Sequence, residues 1–328
     1  MQASELLYKL DCFFKNKMTR RGFLKICLGG LALFVSQNAF LKKAFAKSVS
    51  SSGRKKKKVR TAYDIVVAEG KDPAANVRAA ITAIGGIERF VSPGDTVVIK
   101  PNIGWDRTPE QAANTDPEVV AAVVELAYRA KAKRVNVFDI TCNNEKLCYE
   151  SSGIAKAARE KGAFVYFADN WNVVKASFPY KSPMEGWPVL RDAVECDTFI
   201  NIPVLKHHML AGLTMGMKNL MGVCSGTRGL IHVDLGRKLV DLTDFIDPDL
   251  TIIDATRVLV RHGPSGGNIE DVEHMNKVIV SAEPVLADVF CAALMGRSPS
   301  DIPNLREAAK MGYGRTDIST ASIKKIEV

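Results

Sequence analysis

Residues 93–138 read PGDTVVIKPNIGWDRTPEQAANTDPEVVAAVVELAYRAKAKRVNVF, and their order sets the fold. A Pro93-Gly94 turn opens onto Thr96-Val97-Val98-Ile99, a short apolar run of the kind buried strands carry on both faces. Thr115-Asp116-Pro117 then starts a helix: a side-chain acceptor for orphan amides, and a proline whose fixed φ suits the first turn. Behind it Val119, Val123, Leu126 and Ala127 recur every three or four residues or beside one another, which makes an apolar stripe on one helix face. Val135-Asn136-Val137-Phe138 is the next strand. Strand, capped helix and strand in that order make a parallel crossover unit.

The alternation continues on both sides. Upstream, Ile65-Val66-Val67-Ala68 is a strand, Asp72-Pro73 caps a helix carrying Val77, Ala80, Ile81 and Ile84, and Gly85-Gly86 stops it. Downstream, a helix is expected over 151–161 ending at Gly162, and strands over 164–167, 198–202, 251–253 and 277–280. Further helices are expected over 213–221 and 284–295. The expected fold is α/β, a mainly parallel sheet with helices on both faces and Rossmann-like layering, occupying residues 61–328. Neither G-x-G-x-x-G nor G-x-x-x-x-G-K-S/T occurs, so the layering comes without a nucleotide fingerprint.

Charge divides the chain in two. Residues 1–60 hold 15 Lys/Arg against 2 Asp/Glu, whereas residues 61–328 hold 30 against 34, a net of −4. The overall +9 therefore belongs to the leader, and no nucleic-acid footprint is left on the body. Residues 19–25, TRRGFLK, precede a short apolar stretch and the small-x-small Ala44-Phe45-Ala46. Arg20-Arg21 and Ala46 thus predict a twin-arginine signal peptide over 1–46. Export by the Tat translocase, cleavage by signal peptidase and a periplasmic or envelope location follow as expectations. Residues 47–60, KSVSSSGRKKKKVR, read as a basic low-complexity linker, with at most peripheral membrane contact through 54–60. Cys142, Cys148, Cys196, Cys224 and Cys291 show no C-x-x-C spacing, so neither a ferredoxin-type cluster nor a thioredoxin-like site is indicated.

In open α/β sheets ligands sit beyond the carboxyl ends of the strands, so the loops there carry the candidates. They are Lys100 and Asn102 after 96–99, Asp139 after 135–138, Lys206 and His208 after 198–202, then Lys218, Asn219, His232 and Asp254. Converging lysines and asparagines suit a small carboxylate or phosphate ligand. A lysine crowded by other cations or a nearby histidine can act as acid or base. His208, His232 and Asp254 could instead hold a metal. Two look-alikes fail. Gly263-Pro264-Ser265-Gly266-Gly267 lacks the strand immediately before and the helix immediately after that a nucleophile elbow needs. Gly222-Val223-Cys224-Ser225-Gly226 follows an expected helix and reads as a glycine-rich turn.

The stretch FINIPVLKHHMLAGLTMGMKNLMGV (199–223), with VVIKPNIGW upstream and IIDATRVLVRHGPSGG downstream, resembles domain-of-unknown-function family 362. The pattern I-N-x-P-x-x-K-x-H … T-x-x-x-K-N-x-x-G is met by Ile200, Asn201, Pro203, Lys206, His208, Thr214, Lys218, Asn219 and Gly222. The resemblance runs over about residues 63–312 and implies no general reaction. Some members of the family carry an iron–sulfur insert, whose cysteines this chain lacks. Three functions stay open: acid–base chemistry on an anionic compound, metal- or redox-linked chemistry, and non-catalytic binding in the envelope.

Overall fold

Successive side chains of a strand point to opposite faces, and the strands here sort their residues accordingly. In the computed structural model, which describes residues 50–54, 57, 59–168 and 171–328, Val97 and Ile99 enter one apolar cluster while Val98 enters another. Val66 and Ala68 separate from Ile65 and Val67 in the same way, as do Val278 and Val280 from Ile279. A sheet buried on both faces results. Its strands are Ile65–Glu69 (β1), Thr96–Pro101 (β2), Arg134–Val137 (β3), Phe164–Val165 (β4), Thr198–Ile202 (β5), Val204–His208 (β6), Gly212–Thr214 (β7), Leu250–Leu259 (β8), Val272–Ser281 (β9) and Ile323–Glu327 (β10).

The spatial order is β10-β1-β9-β8-β5-β2-β3-β4, with β6 paired to β8 and β7 to β6. β9 runs antiparallel to β1 and β8, and β7 antiparallel to β6; the other pairings are parallel. Pro73–Ile84 (α1), Pro117–Arg129 (α2) and Ile154–Glu160 (α3) cover one face. Leu235–Ile246 (α4), Pro284–Leu294 (α5) and Pro303–Met311 (α6) cover the other. The capping chemistry is the one the sequence indicates. Asp72 accepts from the Ala75 amide at 2.9 Å, Asp116 accepts from Glu118 at 2.8 Å, and Gly85 ends α1 at φ 118°. Among the described residues no helix is long and apolar enough to cross a membrane.

Local expectations fail at several places. The helix expected over 151–161 is two helices, Glu145–Ser151 and α3, because Gly153 takes a left-handed φ of 71° between them. The helix expected over 213–221 starts as a strand. Gly212, at φ 74°, reverses the chain so that Leu213 and Thr214 pair with His207 and Lys206, and the helix shrinks to Gly216–Asn219 followed by a 3-10 turn. Residues 204–208, expected as a loop, form β6 because Val204 and Leu205 are buried beside β8.

The signal residues Arg20, Arg21 and Ala46 lie outside the described residues, as do Lys55, Lys56 and Lys58. The described part of 47–60 is no spacer. Ser50–Ser52 pairs in parallel with Val173–Ser177, in a small sheet completed by Pro188–Leu190. Arg54 is buried, ion-paired to Asp249, and donates to the carbonyls of Ile246, Asp197 and Asp247. Lys57 pairs with Asp95 at 2.5 Å and donates to the Phe90 carbonyl. Composition alone cannot reveal the carboxylates that draw this charged run onto the body. Breaking a buried pair leaves one charge uncompensated, so Arg54→Met lowers unfolding stability by about 3 kcal/mol, read from the urea midpoint. A variant with wild-type stability contradicts the docked segment.

Candidate functional site

β2, β3 and β6 direct their carboxyl ends toward one cavity of about 530 Å³. Eight of the nine sequence candidates line it: Lys100, Asn102, Asp139, Lys206, His208, Lys218, Asn219 and His232. Lys100, fully buried, meets Asp139 Oδ1 at 2.8 Å and donates to the Pro101 carbonyl at 2.7 Å and Asn219 Oδ1 at 3.1 Å. Burial lowers its pKa, with the Asp139 carboxylate opposing. The other Asp139 oxygen accepts from the Ile103 amide at 2.7 Å. This ion pair needs Gly222 beside it: a Cβ there would stand 1.8 Å from Asp139 Oδ1 and 2.5 Å from Lys100 Nζ.

Asn219 is saturated. Its oxygen accepts from Lys100 and Asn102, and its amide donates to the Lys100 carbonyl and Asn201 Oδ1. It therefore positions Lys100, and both of its amide hydrogens are spent within the protein. Asn102 spends one amide hydrogen on Asn219 and accepts from Gly104, leaving its second hydrogen at the cavity wall.

Lys206, on β6, is buried and donates to the Ala113 carbonyl at 2.5 Å and the Pro264 carbonyl at 2.9 Å, with its ammonium 5.8 Å from the Trp105 ring centre. Burial first, then the neighbouring lysines, push it down to about 7. Lys218 is half-buried and has no hydrogen-bond or ion-pair partner among the described residues. Burial, with Arg228 and Lys100 adding repulsion, brings it to about 8. Arg228, unnoticed in the sequence because it sits in the glycine-rich turn after Gly226, donates to the Ile140 and Thr141 carbonyls and adds a fourth cation. Among the described residues Asp139 is the only carboxylate lining the cavity.

The two histidines stack with ring centres 5.9 Å apart. His208 Nδ1 accepts from the Leu210 and Ala211 amides at 3.1 and 3.2 Å, which places the proton of its neutral ring on Nε2. Burial and the nearby lysines hold it neutral, down to about 3. His232 Nδ1 faces the Gly229 carbonyl at 3.2 Å; a carbonyl only accepts, so Nδ1 carries the proton and Nε2 a free lone pair. Burial and Lys218 lower its pKa as well. One ring thus offers a donor and the other an acceptor.

Asp254 is elsewhere. Its carboxylate accepts from the Asp116 amide at 2.7 Å and from Thr256, under the start of α2, and burial together with the Asp116 carboxylate raises its pKa. His208, His232 and Asp254 therefore form no joint ligand set, and among the described residues no three His, Cys, Asp or Glu side chains converge as metal ligands. Asp254 lies outside the cavity lining, and its buried carboxylate serves the orphan amide of Asp116, the N-cap of α2. The Gly263–Gly267 segment is a loop leading into a 3-10 turn, and its Pro264 carbonyl accepts from Lys206. Cys142 is exposed at the cavity, whereas Cys148, Cys196, Cys224 and Cys291 are buried.

A family model described as Domain of unknown function (DUF362) matches residues 97–293. A thylakoid-associated protein of Synechocystis sp. is 26% identical over 259 residues, covering 74% of this chain and 76% of that protein. Among solved structures, the lactate racemase apoprotein of Thermoanaerobacterium thermosaccharolyticum aligns with TM-score 0.45 and 13% identity over 72% of this chain and 57% of that one. A protein from Thermotoga maritima aligns with TM-score 0.45 and 12% identity over 70% of this chain and 60% of its own. The chain spans less than two thirds of either structure's length.

The lysine shifts have a stability consequence. Unfolded lysines keep their protons up to about pH 10.4, while Lys206 releases its proton near 7 in the fold. Between these values the unfolded state binds the extra proton, so stability rises with pH across that window. Lys206→Met removes up to about 1.4 kcal/mol per pH unit of that slope, measured by urea titrations between pH 7.5 and 9.5. An unchanged slope contradicts a depressed Lys206.

Proposed function

The chain belongs to the Domain of unknown function (DUF362) family, and we propose that its cavity binds a small anionic ligand and performs proton transfer on it. The observation that carries this reading is charge: Lys100, Lys206, Lys218 and Arg228 surround the cavity against one carboxylate, and the Lys218 ammonium has no partner among the described residues. A carboxylate or phosphate is the complement such a field lacks. Lys218 meets the anion, Asn102 adds a neutral donor, and Lys100 with Asp139 fixes the cavity floor. Lys206, titrating near 7, sets how much positive charge the cavity carries at neutral pH.

His232 Nε2 serves as the base, taking the proton and returning it to the ligand, while the neutral His208 Nε2–H donates a hydrogen bond to the charge that develops, since their backbone partners fix opposite tautomers. The same bonds weigh against metal ligation by His208, because the ring nitrogen without a proton is already an acceptor. The reading includes delivery to the periplasm or envelope by the Tat translocase through Arg20 and Arg21, with removal of the signal after Ala46. Arg20→Lys/Arg21→Lys then leaves the full-length precursor in the cytoplasm on fractionation.

For the cavity, Lys218→Ala weakens calorimetric binding of phosphate or acetate by about 10- to 100-fold, the value of a charge-assisted contact, without lowering the urea midpoint. Unchanged affinity sinks the reading. For the chemistry, wild-type protein in deuterated water introduces deuterium into an anionic metabolite of a host extract, and His232→Gln does not. Binding without any deuterium incorporation reduces the protein to a carrier.

A further inference from the structure

Two loops that contribute residues to the cationic cavity display large apolar side chains to solvent. One is the turn joining β6 to β7, where Met209 and Leu210 are 78% and 63% exposed. The other is the 3-10 segment Arg228–His232 and its exit, where Leu230 and Val233 are 54% and 67% exposed. Met209, Leu210, Gly229 and His232 all line the cavity, and the His208–His232 stack holds the loops together. The 209–210 turn is a built feature, because the Leu210 and Ala211 amides are tied to His208 Nδ1. Inside, Ile140 and Met221 add apolar wall next to the lysines. Exposed apolar residues gathered at the mouth of a charged cavity mark a binding surface more often than chance exposure does.

Resting on the anionic-ligand reading, we infer that the occupant is an amphiphile. Its carboxylate or phosphate head enters the lysine-lined cavity, and an apolar chain leaves along Met209 and Leu210. The head supplies the missing counter-charge; the tail covers side chains that otherwise face water. A small hydrophilic anion would satisfy the first need and leave the second.

The test compares matched heads that differ only in tail: methyl phosphate with octyl phosphate, and acetate with octanoate, each below its micelle concentration and titrated calorimetrically into the folded protein. Octyl phosphate or octanoate binds at least about 30-fold more tightly than its short partner, which is less than the roughly fourfold per methylene of full burial. Met209→Ser/Leu210→Ser, which keeps the backbone donors to His208, reduces that ratio at least fivefold. Short anions that bind while long ones gain nothing overturn the amphiphile and leave the anion site standing. If neither short nor long anions bind, the anion site itself falls. Sedimentation with phosphatidylglycerol vesicles, without a chain-length gain in solution, also overturns the inference and makes the rim a membrane-facing surface.

Discussion

The site depends on one buried ion pair. Lys100, at the end of β2, meets Asp139, just beyond β3, where both side chains are buried. Removing an ammonium from water costs several kcal/mol unless a carboxylate and hydrogen-bond acceptors replace its hydration. Asp139, Asn219 and the Pro101 carbonyl do so together. Because Asn219 also reaches Asn201 on β5, the pair fastens three strand ends and the segment after β7 to one another. Gly222 completes the arrangement by having no side chain where the two charges meet, while its carbonyl accepts from the Ile140 amide at 3.0 Å.

With that floor in place, the remaining cations have fewer partners than charges. Lys206 is enclosed, and its hydrogen bonds go to the neutral carbonyls of Ala113 and Pro264 rather than to a carboxylate. Lys218 faces the cavity without a partner among the described residues. Their depressed pKa values and the neutral histidines are two effects of the same low-dielectric, positively charged surroundings. A body that carries net negative charge over residues 61–328 thus concentrates positive charge in one cavity.

The layering was legible because period-two alternation and proline-led caps are local signals, and the strands around 65, 96, 135 and 198 appear where those signals place them. The candidate residues were legible through a topological rule: residues just past parallel strands converge. Asp254 obeyed the rule and still left the cavity, because the amide at the start of α2 claims its carboxylate, a tertiary partner no spacing announces. Residues 204–208 read as a loop since Pro203 and two histidines mask a strand whose ladder partner, β8, lies some fifty residues away. Arg54 and Lys57 looked solvated for the same reason, with Asp249 and Asp95 distant in sequence. Arg228 carried no signal at all beyond being an arginine in a turn.

We propose that the Lys100–Asp139 pair, made possible by the bare Gly222, organises a cavity that holds anions. Gly222→Ala tests it most directly, because the variant removes no charge and no hydrogen-bonding group. Calorimetric titration with inorganic phosphate, on variant protein whose circular dichroism shows the fold retained, should give at least about tenfold weaker binding than wild type as the added methyl displaces the pair. Wild-type affinity in that variant would contradict the account.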